Sequence, residues 1–431
     1  MKLRGNKSLK GETFVPGDKS ISHRAIILSS LALGTTRIEN CLLSEDTQMT
    51  IDIFKKLGVD IQVDTKNNLV NINGVGLYGL KAPEGDLYCG NSGTTMRLLA
   101  GLLAGQGYKT RLTGDKSLST RPMDRVTKPL SLMGADILDC NSKAPLDISP
   151  GRIKAIDYEM EVTSAQVKSA ILLASLYSKG ITTLKEKFIT RNHTEIMLEY
   201  LGAKIETDGL IIKINNPTKL LARDIKVPGD ISSAAFLIAA GLITKDSDIT
   251  IKNVGLNNTR TGIISVLSEM GAIIKILDVD EDNVEKTGSL NVMESFLTGI
   301  TIEGEKTASV IDEIPIIAVI ACFAEGDTII RDAQELRIKE SDRLSAIYNG
   351  LSKMGADIEI TDDGLIIHGR GRLKGAEVSS FGDHRIAMAL SIAALAADGT
   401  TIIDDVECIN VSYPNFYNEV GQLIDNNFEI K

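Results

Sequence analysis

Two kinds of side chain stand out by type and spacing: cations at the openings of apolar segments, and carboxylates set among cations. DKSISHR, residues 18–24, carries Lys19 and Arg24; NSGTTMR, 91–97, carries Arg97; SAQVK, 164–168, carries Lys168; and DHR, 383–385, carries Arg385. Three further stretches add to them. GDKSLSTRPMDR, 114–125, holds Lys116, Arg121 and Arg125; TRNHTE, 190–195, holds Arg191 and His193; ELRIKESDRL, 335–344, holds Arg337, Lys339, Glu340, Asp342 and Arg343. Arg grips phosphate or carboxylate through two parallel donors and Lys acts as a point charge, so several of each suit more than one anionic group. Asp312 and Glu340, near such cations, are available for moving protons. GNSGTT, 90–95, lacks the Lys-Ser/Thr of a phosphate-binding P-loop, and no dinucleotide-binding GxGxxG occurs. The four histidines lie far apart and give no metal-ligand spacing.

The elements that must position these residues repeat. The phrase VPGDKSISHRA at 15–25 returns as VPGDISSAA at 227–235, the second copy without its cations. A second phrase, Leu or Met then Gly then an alternating run, recurs around Gly58, Gly134, Gly202, Gly271 and Gly355, in steps of 76, 68, 69 and 84 residues. LIDNNFEI, 423–430, reads as a degraded sixth copy with Asn426 in the glycine's place. Each unit opens with a polar tip and a helix apolar on nearly every side, which predicts burial. Most of these helices run into a Gly, expected as a C-cap. A short β run, an amphipathic helix and a strand pair follow, so the unit reads helix, strand, helix, strand, strand. VDEDNVEKTGSLNVME, 279–294, reads as a solvated loop and hairpin. A helix N-terminus presents free N–H groups and a positive dipole end, which makes an anion site. Capping alone accounts for Ser, Asp or Asn at such tips; the added Lys and Arg do not serve capping. Six tips from two domains would line one cleft.

Composition bounds the function. The 431 residues allow two or three domains, and a 4% aromatic content without Trp makes the core aliphatic. A net charge of −10 argues against a nucleic-acid or anionic-membrane binder. Five scattered cysteines without a CxxC read as free thiols, and MKLRGNKSLK lacks the apolar run of a signal peptide. The longest apolar stretch, IPIIAVIACFA at 314–324, is too short to span a bilayer. A cytoplasmic protein is expected.

The ordered set PGDKSISHRA, GNSGTTMRLLAG, STRPM, SAQVKSA, LRIKESDRL and FGDHRIAMAL resembles the 5-enolpyruvylshikimate-3-phosphate synthases, from about residue 3 to 417. The resemblance implies an inside-out α/β barrel of two domains with six βαβαββ-type repeats, three per domain. The echoed VPGD phrase sets hinge crossovers near 13–18 and 226–231, with residues 16–228 in one domain and 1–15 with 229–431 in the other. The resemblance also implies transfer of the enolpyruvyl group of phosphoenolpyruvate to the 5-hydroxyl of shikimate 3-phosphate, with no metal or organic cofactor; a monomer is expected. By motif, shikimate 3-phosphate falls to Lys19, Ser20, Arg24, Ser164, Ala165, Gln166, Arg191, Asp312 and Lys339. Phosphoenolpyruvate falls to Lys19, Gly93, Arg121, Gln166, Arg343 and Arg385, with Lys339 close by. Lys19, Asp312, Glu340 and His384 take the catalytic duties: charge stabilisation, base to the 5-hydroxyl, acid to the methylene carbon, and support.

The chain departs from the pattern at Ala165, where many members carry a second serine, and at Val411, where some carry a lysine. Two rivals remain. One is the sister enzyme that uses UDP-N-acetylglucosamine, whose mobile loop usually carries a Cys that GDKSLSTRPM lacks. The other is a non-catalytic six-repeat scaffold that binds anions.

Overall fold

The computed structural model describes residues 1–5 and 7–424. The chain forms two compact units, Met1–Pro16 with Pro228–Lys431, and Gly17–Val227. In the second of these the buried helices are α1 (Lys19–Leu31), α2 (Gly93–Ala104) and α3 (Ala165–Ser175). In the first they are α4 (Ile231–Ile243), α5 (Ile314–Phe323) and α6 (His384–Ala396). Their all-round apolar sequences are matched by burial: every residue of α1 from Ile21 to Leu31 is buried, as is every residue of α5 from Ile314 to Cys322. Small residues let them close up. A Cβ on Gly101 of α2 would lie 2.0 Å from the carbonyl oxygen of Ala170 in α3, so the two backbones touch at a position only glycine fits.

Around the helices sit small sheets with one recurring order. In the second repeat the order is Leu87–Tyr88, Thr110–Thr113, Leu146–Ser149, Asp136–Asp139, the first pair parallel and the rest antiparallel. The third, fourth and fifth repeats follow the same plan, and the first borrows its short parallel strands from Leu220–Leu221 and Ile225–Lys226 at the unit's far end. Alternation selects the buried face: in Ile211–Asn215, Ile212 and Ile214 turn inward and their neighbours outward. The N-terminus belongs to this pattern. Lys10–Phe14 pairs in parallel with Asp248–Gly255 of the fourth repeat, and Lys2–Arg4 pairs with Thr400–Ile403 of the sixth. The degraded sixth copy read at 423–430 lies outside the described residues beyond Ile424; Lys2–Arg4 stands antiparallel where a hairpin strand stands in the other sheets.

The repeated glycines turn each outer helix into its strand. Gly58, Gly134, Gly202, Gly271 and Gly355 all adopt left-handed φ, between 84° and 99°. The C-cap expectation for the buried helices needs correcting. The caps are Ala32, Leu176, Ala324 and Ala397, and Gly180, Gly326 and Gly399 lie past them with positive φ, at the start of the next strand. Gly105 does cap α2, but in right-handed conformation. Its need is space: a Cβ there would meet the Tyr177 ring at 2.1 Å. The 279–294 stretch does form the turn and second strand of a hairpin, Ile273–Asp280 with Thr287–Met293, yet Glu285, Thr287 and Ser289 within it are buried, not solvated. No described helix is long and apolar enough to cross a membrane.

Candidate active site

In the unit of Gly17–Val227 the tips of the three buried helices are tied to one another. Asp18 caps α1, its Oδ1 accepting the Ile21 amide at 2.9 Å; Ser92 caps α2 and Ser164 caps α3. The capping reading is therefore right for these residues, and the cations beside them do separate work. Lys19 reaches Asp46 at 3.2 Å. Arg24 is buried and donates to Thr194 Oγ1 at 2.7 Å, Ser169 Oγ at 2.6 Å and the Ser20 carbonyl at 2.9 Å. Arg191 donates to Ser20 Oγ at 3.4 Å. Ser20, Arg24 and Arg191 thus form one cluster, half-exposed at Ser20 and Arg191.

A second cluster in the same unit gathers around α2. Arg121 donates to Asn91 Oδ1 at 2.5 Å, and Asn91 donates in turn to Asp115 at 2.8 Å. Arg97 donates to Gln166 Oε1 at 2.6 Å, while Gln166 donates to Thr94 Oγ1 at 3.0 Å. Gly93 sits between the two guanidinium groups: a Cβ there would lie 3.4 Å from Arg97 Nη1 and 3.5 Å from Arg121 Nη1. The bare backbone of Gly93 leaves open the space in front of both cations. Ala165, first residue of α3 after Ser164, is half-buried beside Gln166. Lys116, from the same loop as Arg121, points to solvent.

His23 lies beneath these tips, fully buried, with Nδ1 2.8 Å from Thr50 Oγ1, itself 2.8 Å from Thr95 Oγ1, which donates to Ser92. Burial, then Lys19 and Arg24, push its pKa down to about 3 against a smaller opposing pull from Asp18. Unfolded, the ring takes a proton near pH 6.5; folded, it does not, so stability falls as pH drops below 6.5 toward 3. Between pH 7 and pH 5 the native protein should lose about 2 kcal/mol more than a His23→Asn variant, at about 1.4 kcal/mol per pH unit below 6.5. Urea unfolding of both proteins at the two pH values measures this; equal losses would contradict it.

In the other unit Arg343 organises the site. It opens the helix Arg343–Lys353, capped by Asp342, and follows the short 3-10 turn Gln334–Ile338. The charged run at 335–344 is therefore a turn and a helix start. Arg343 within it is buried at 1% exposure. Arg343 donates to Asp383 Oδ2 at 2.8 Å, Glu340 Oε2 at 2.5 Å and Asp312 Oδ1 at 3.4 Å. Burial alone would lower its pKa, but the three carboxylates more than offset that and hold it charged. Burial likewise works to raise the Asp383 carboxyl, yet Arg343 and His384 keep it below its ordinary value. Lys339 lies 3.7 Å from Asp312 Oδ1, and Arg385 donates to the Asp312 carbonyl at 2.8 Å. His384, buried, has Nδ1 4.0 Å from Asp383 Oδ1. Val411 is half-buried at the end of a 3-10 turn. Among the described residues no group of three or more His, Cys, Asp or Glu is placed to hold a metal ion.

The predicted residues thus fall into two sets, Lys19, Ser20, Arg24, Gly93, Arg121, Ser164, Ala165, Gln166 and Arg191 in one unit, and Asp312, Lys339, Glu340, Arg343, His384 and Arg385 in the other. The first is a bed of cations and helix N-termini suited to anions; the second joins cations to two carboxylates able to move protons. Sequence reasoning gave no role to Asp46, Asn91 or Asp383, which orient Lys19, Arg121 and Arg343. Asp383 was visible as the acid before a helix tip, like Asp18 and Asp230; all three are N-caps. Arg97 was counted as a cation, but its bond to Gln166 has no signature at a separation of 69 residues.

The EPSP synthase (3-phosphoshikimate 1-carboxyvinyltransferase) family model matches residues 3–420. The chain belongs to the EPSP synthase family. Among relatives in that family, the 3-phosphoshikimate 1-carboxyvinyltransferase of Oceanobacillus iheyensis is 49% identical over 419 residues, 97% of each chain. That of Thermoanaerobacter sp. is 50% identical over 424 residues, 98% of this chain and all of the relative. The solved EPSP synthase from Acinetobacter baumannii is similar at a TM-score of 0.89 and 42% identity, covering 98% of this chain and 97% of its own. The enolpyruvyl transferase NikO from Streptomyces tendae has a TM-score of 0.80 at 20% identity and shares the fold.

Proposed function

We propose that the chain transfers the enolpyruvyl group of phosphoenolpyruvate to the 5-hydroxyl of shikimate 3-phosphate and releases phosphate. The observation that carries this reading is the Arg343 cluster: two carboxylates, Asp312 and Glu340, held on one guanidinium with Lys339 and Arg385 alongside. Making an enol ether from an alcohol and an enol phosphate requires a proton removed from oxygen and a proton delivered to carbon, and so two separate proton-handling groups.

Asp312 takes the proton of the 5-hydroxyl as its oxygen bonds to the central carbon of phosphoenolpyruvate. Glu340 gives a proton to the methylene carbon, which becomes a methyl group. The tetrahedral adduct then loses phosphate and gives one methyl proton back to the Glu340 carboxylate, and the double bond returns. Lys19, Gly93, Arg121, Gln166, Arg343 and Arg385 hold phosphoenolpyruvate, and fixed cations stabilise the charge on the departing phosphate without having to reorganise. Lys19, Ser20, Arg24, Ser164, Ala165, Gln166, Arg191, Asp312 and Lys339 hold shikimate 3-phosphate, with Arg24 and Arg191 on its anionic groups. His384 supports the site through Asp383. The reading requires both sets of residues to act on one pair of substrates. We also assign the chain to the cytoplasm and to a monomeric state; its five free cysteines suit a reducing compartment.

The test is an isotope experiment. In D2O the methyl group of the adduct gains a solvent deuteron, so the enol ether product should carry deuterium at its methylene carbon. Proton NMR of the purified product reads this. Product without deuterium would contradict addition followed by elimination.

A further inference from the structure

We propose that Lys168 is a positioning residue for the shikimate 3-phosphate side of the site, acting through the segment that carries Arg191. The proposal rests on the roles given above to Arg24 and Arg191. Lys168 belongs by sequence with the tip cations, but it does not face a ligand: it is 1% exposed, one turn into α3. Its ammonium donates to Glu186 Oε2 at 3.0 Å and to the Thr190 carbonyl at 3.2 Å, and pairs with Glu195 Oε1 at 2.7 Å.

Those acceptors span the connection between the strand Ile181–Lys185 and the helix His193–Tyr200. Glu186 and Glu195, both buried, stand at its two ends, and Lys187, Phe188 and Ile189 between them are exposed. Glu186 also accepts the Thr190 amide at 3.1 Å and the Thr190 hydroxyl, which folds the connection back on itself. Arg191 follows Thr190 directly. An exposed connection of this length has little packing of its own, so the direction in which Arg191 points depends on what fixes Thr190. Lys168 is what fixes it to α3.

The neighbouring residues extend the link to the second cation. Ser169, next to Lys168, lies 2.7 Å from the Thr194 hydroxyl, next to Glu195, and both accept from Arg24. One side of this arrangement, Lys168 to Glu195, is fully withdrawn from water; the other, Ser169 to Thr194, holds the Arg24 guanidinium. Glu195 Oε2 is buried with no hydrogen-bond partner among the described residues, so the carboxylate relies on Lys168. Two acids around one ammonium in the interior would be a poor choice for stability alone, since an apolar pair of the same volume serves that purpose as well or better. The arrangement gives instead a fixed distance between the α3 tip, with Ser164 and Gln166, and Arg191.

The experiment compares the full-length protein with Lys168→Met and with Lys168→Met combined with Glu195→Gln, which lessens the charge imbalance in the interior. Melting temperature, kcat and KM for each substrate are measured, each also in an Arg191→Ala background. If Lys168 positions Arg191, KM for shikimate 3-phosphate should rise about tenfold in both variants while KM for phosphoenolpyruvate stays within about twofold. That rise should shrink to about threefold or less once Arg191 is gone, because the two residues act through one another. A purely structural role predicts a lowered melting temperature with both KM values unchanged or shifted alike, and this result would overturn the proposal. So would a rise that persists undiminished without Arg191. If the unmodified protein itself fails to turn over these substrates, the functional reading falls, and with it the proposal; normal turnover with unmoved KM values removes only the role of Lys168.

Discussion

Glu340→Gln should slow turnover by about three to four decades while leaving the affinity for both substrates within about threefold, in line with the loss of a positioned general acid. The substitution keeps the shape of the side chain and an oxygen able to accept from Arg343, the donor now 2.5 Å from Glu340 Oε2. Arg343 retains Asp383 and Asp312 in any case, so neither the fold nor the placement of the cations depends on the charge of Glu340. What the amide cannot do is give a proton to carbon. Single-turnover rates with saturating substrates, together with calorimetric binding, separate these two quantities. A variant that binds and turns over like the parent would remove Glu340 from the mechanism and favour an anion-binding scaffold.

Arg343→Met should be the most damaging single change, acting on stability and function together. The methionine roughly fills the volume but strands Asp383, whose side chain is fully buried, and withdraws one partner each from Asp312 and Glu340. Breaking a buried ion pair by removing one member costs about 3–5 kcal/mol. The Asp383 carboxyl, now held below its ordinary pKa by Arg343 and His384, should shift upward toward the protonated form as the stronger cation is lost. The pH sign follows. Asp383 contributes stability that is present above the unfolded carboxylate range and is lost on acidification through the lowered folded pKa, and the variant should lack that contribution. Denaturant unfolding at neutral pH and in mild acid measures both effects, and phosphoenolpyruvate affinity should fall with them. Lysine should not rescue the site, because its compact ammonium cannot reproduce the planar guanidinium, which holds both oxygens of Asp383 through two nitrogens. Unchanged stability in Arg343→Met would show that the carboxylates do not depend on this residue.

Much of the fold could be read from the sequence because the repeat writes it several times. Apolar helices, the Leu/Met-Gly phrase and the alternating runs each follow from local chemistry, and their recurrence around Gly58, Gly134, Gly202, Gly271 and Gly355 fixed the period. The sheets' short parallel strands were not legible, since two or three residues such as Leu87–Tyr88 carry no periodicity. Nor was the contribution of Lys2–Arg4 to the sixth sheet, where pairing joins residues about 400 positions apart. The site divided in the same way. Residues in dense local motifs, such as Lys19 to Arg24 or Lys339 to Arg343, showed themselves by type and spacing. Their orienting partners Asp46, Asn91 and Asp383 did not, because an acid or amide that aims a cation looks in sequence like any cap or surface residue. Lys168 shows the converse error. Its place in a cationic tip suggested a ligand contact, whereas two distant glutamates, Glu186 and Glu195, claim it for the interior.

The identity of the acceptor is the central claim, and one measurement tests it most directly: phosphate release from phosphoenolpyruvate by the purified protein, with shikimate 3-phosphate and with UDP-N-acetylglucosamine in parallel, without added metal. The account predicts release with shikimate 3-phosphate and none with the nucleotide sugar. Release with the nucleotide sugar alone would keep the fold and contradict the substrate, and silence with both would contradict the enzyme.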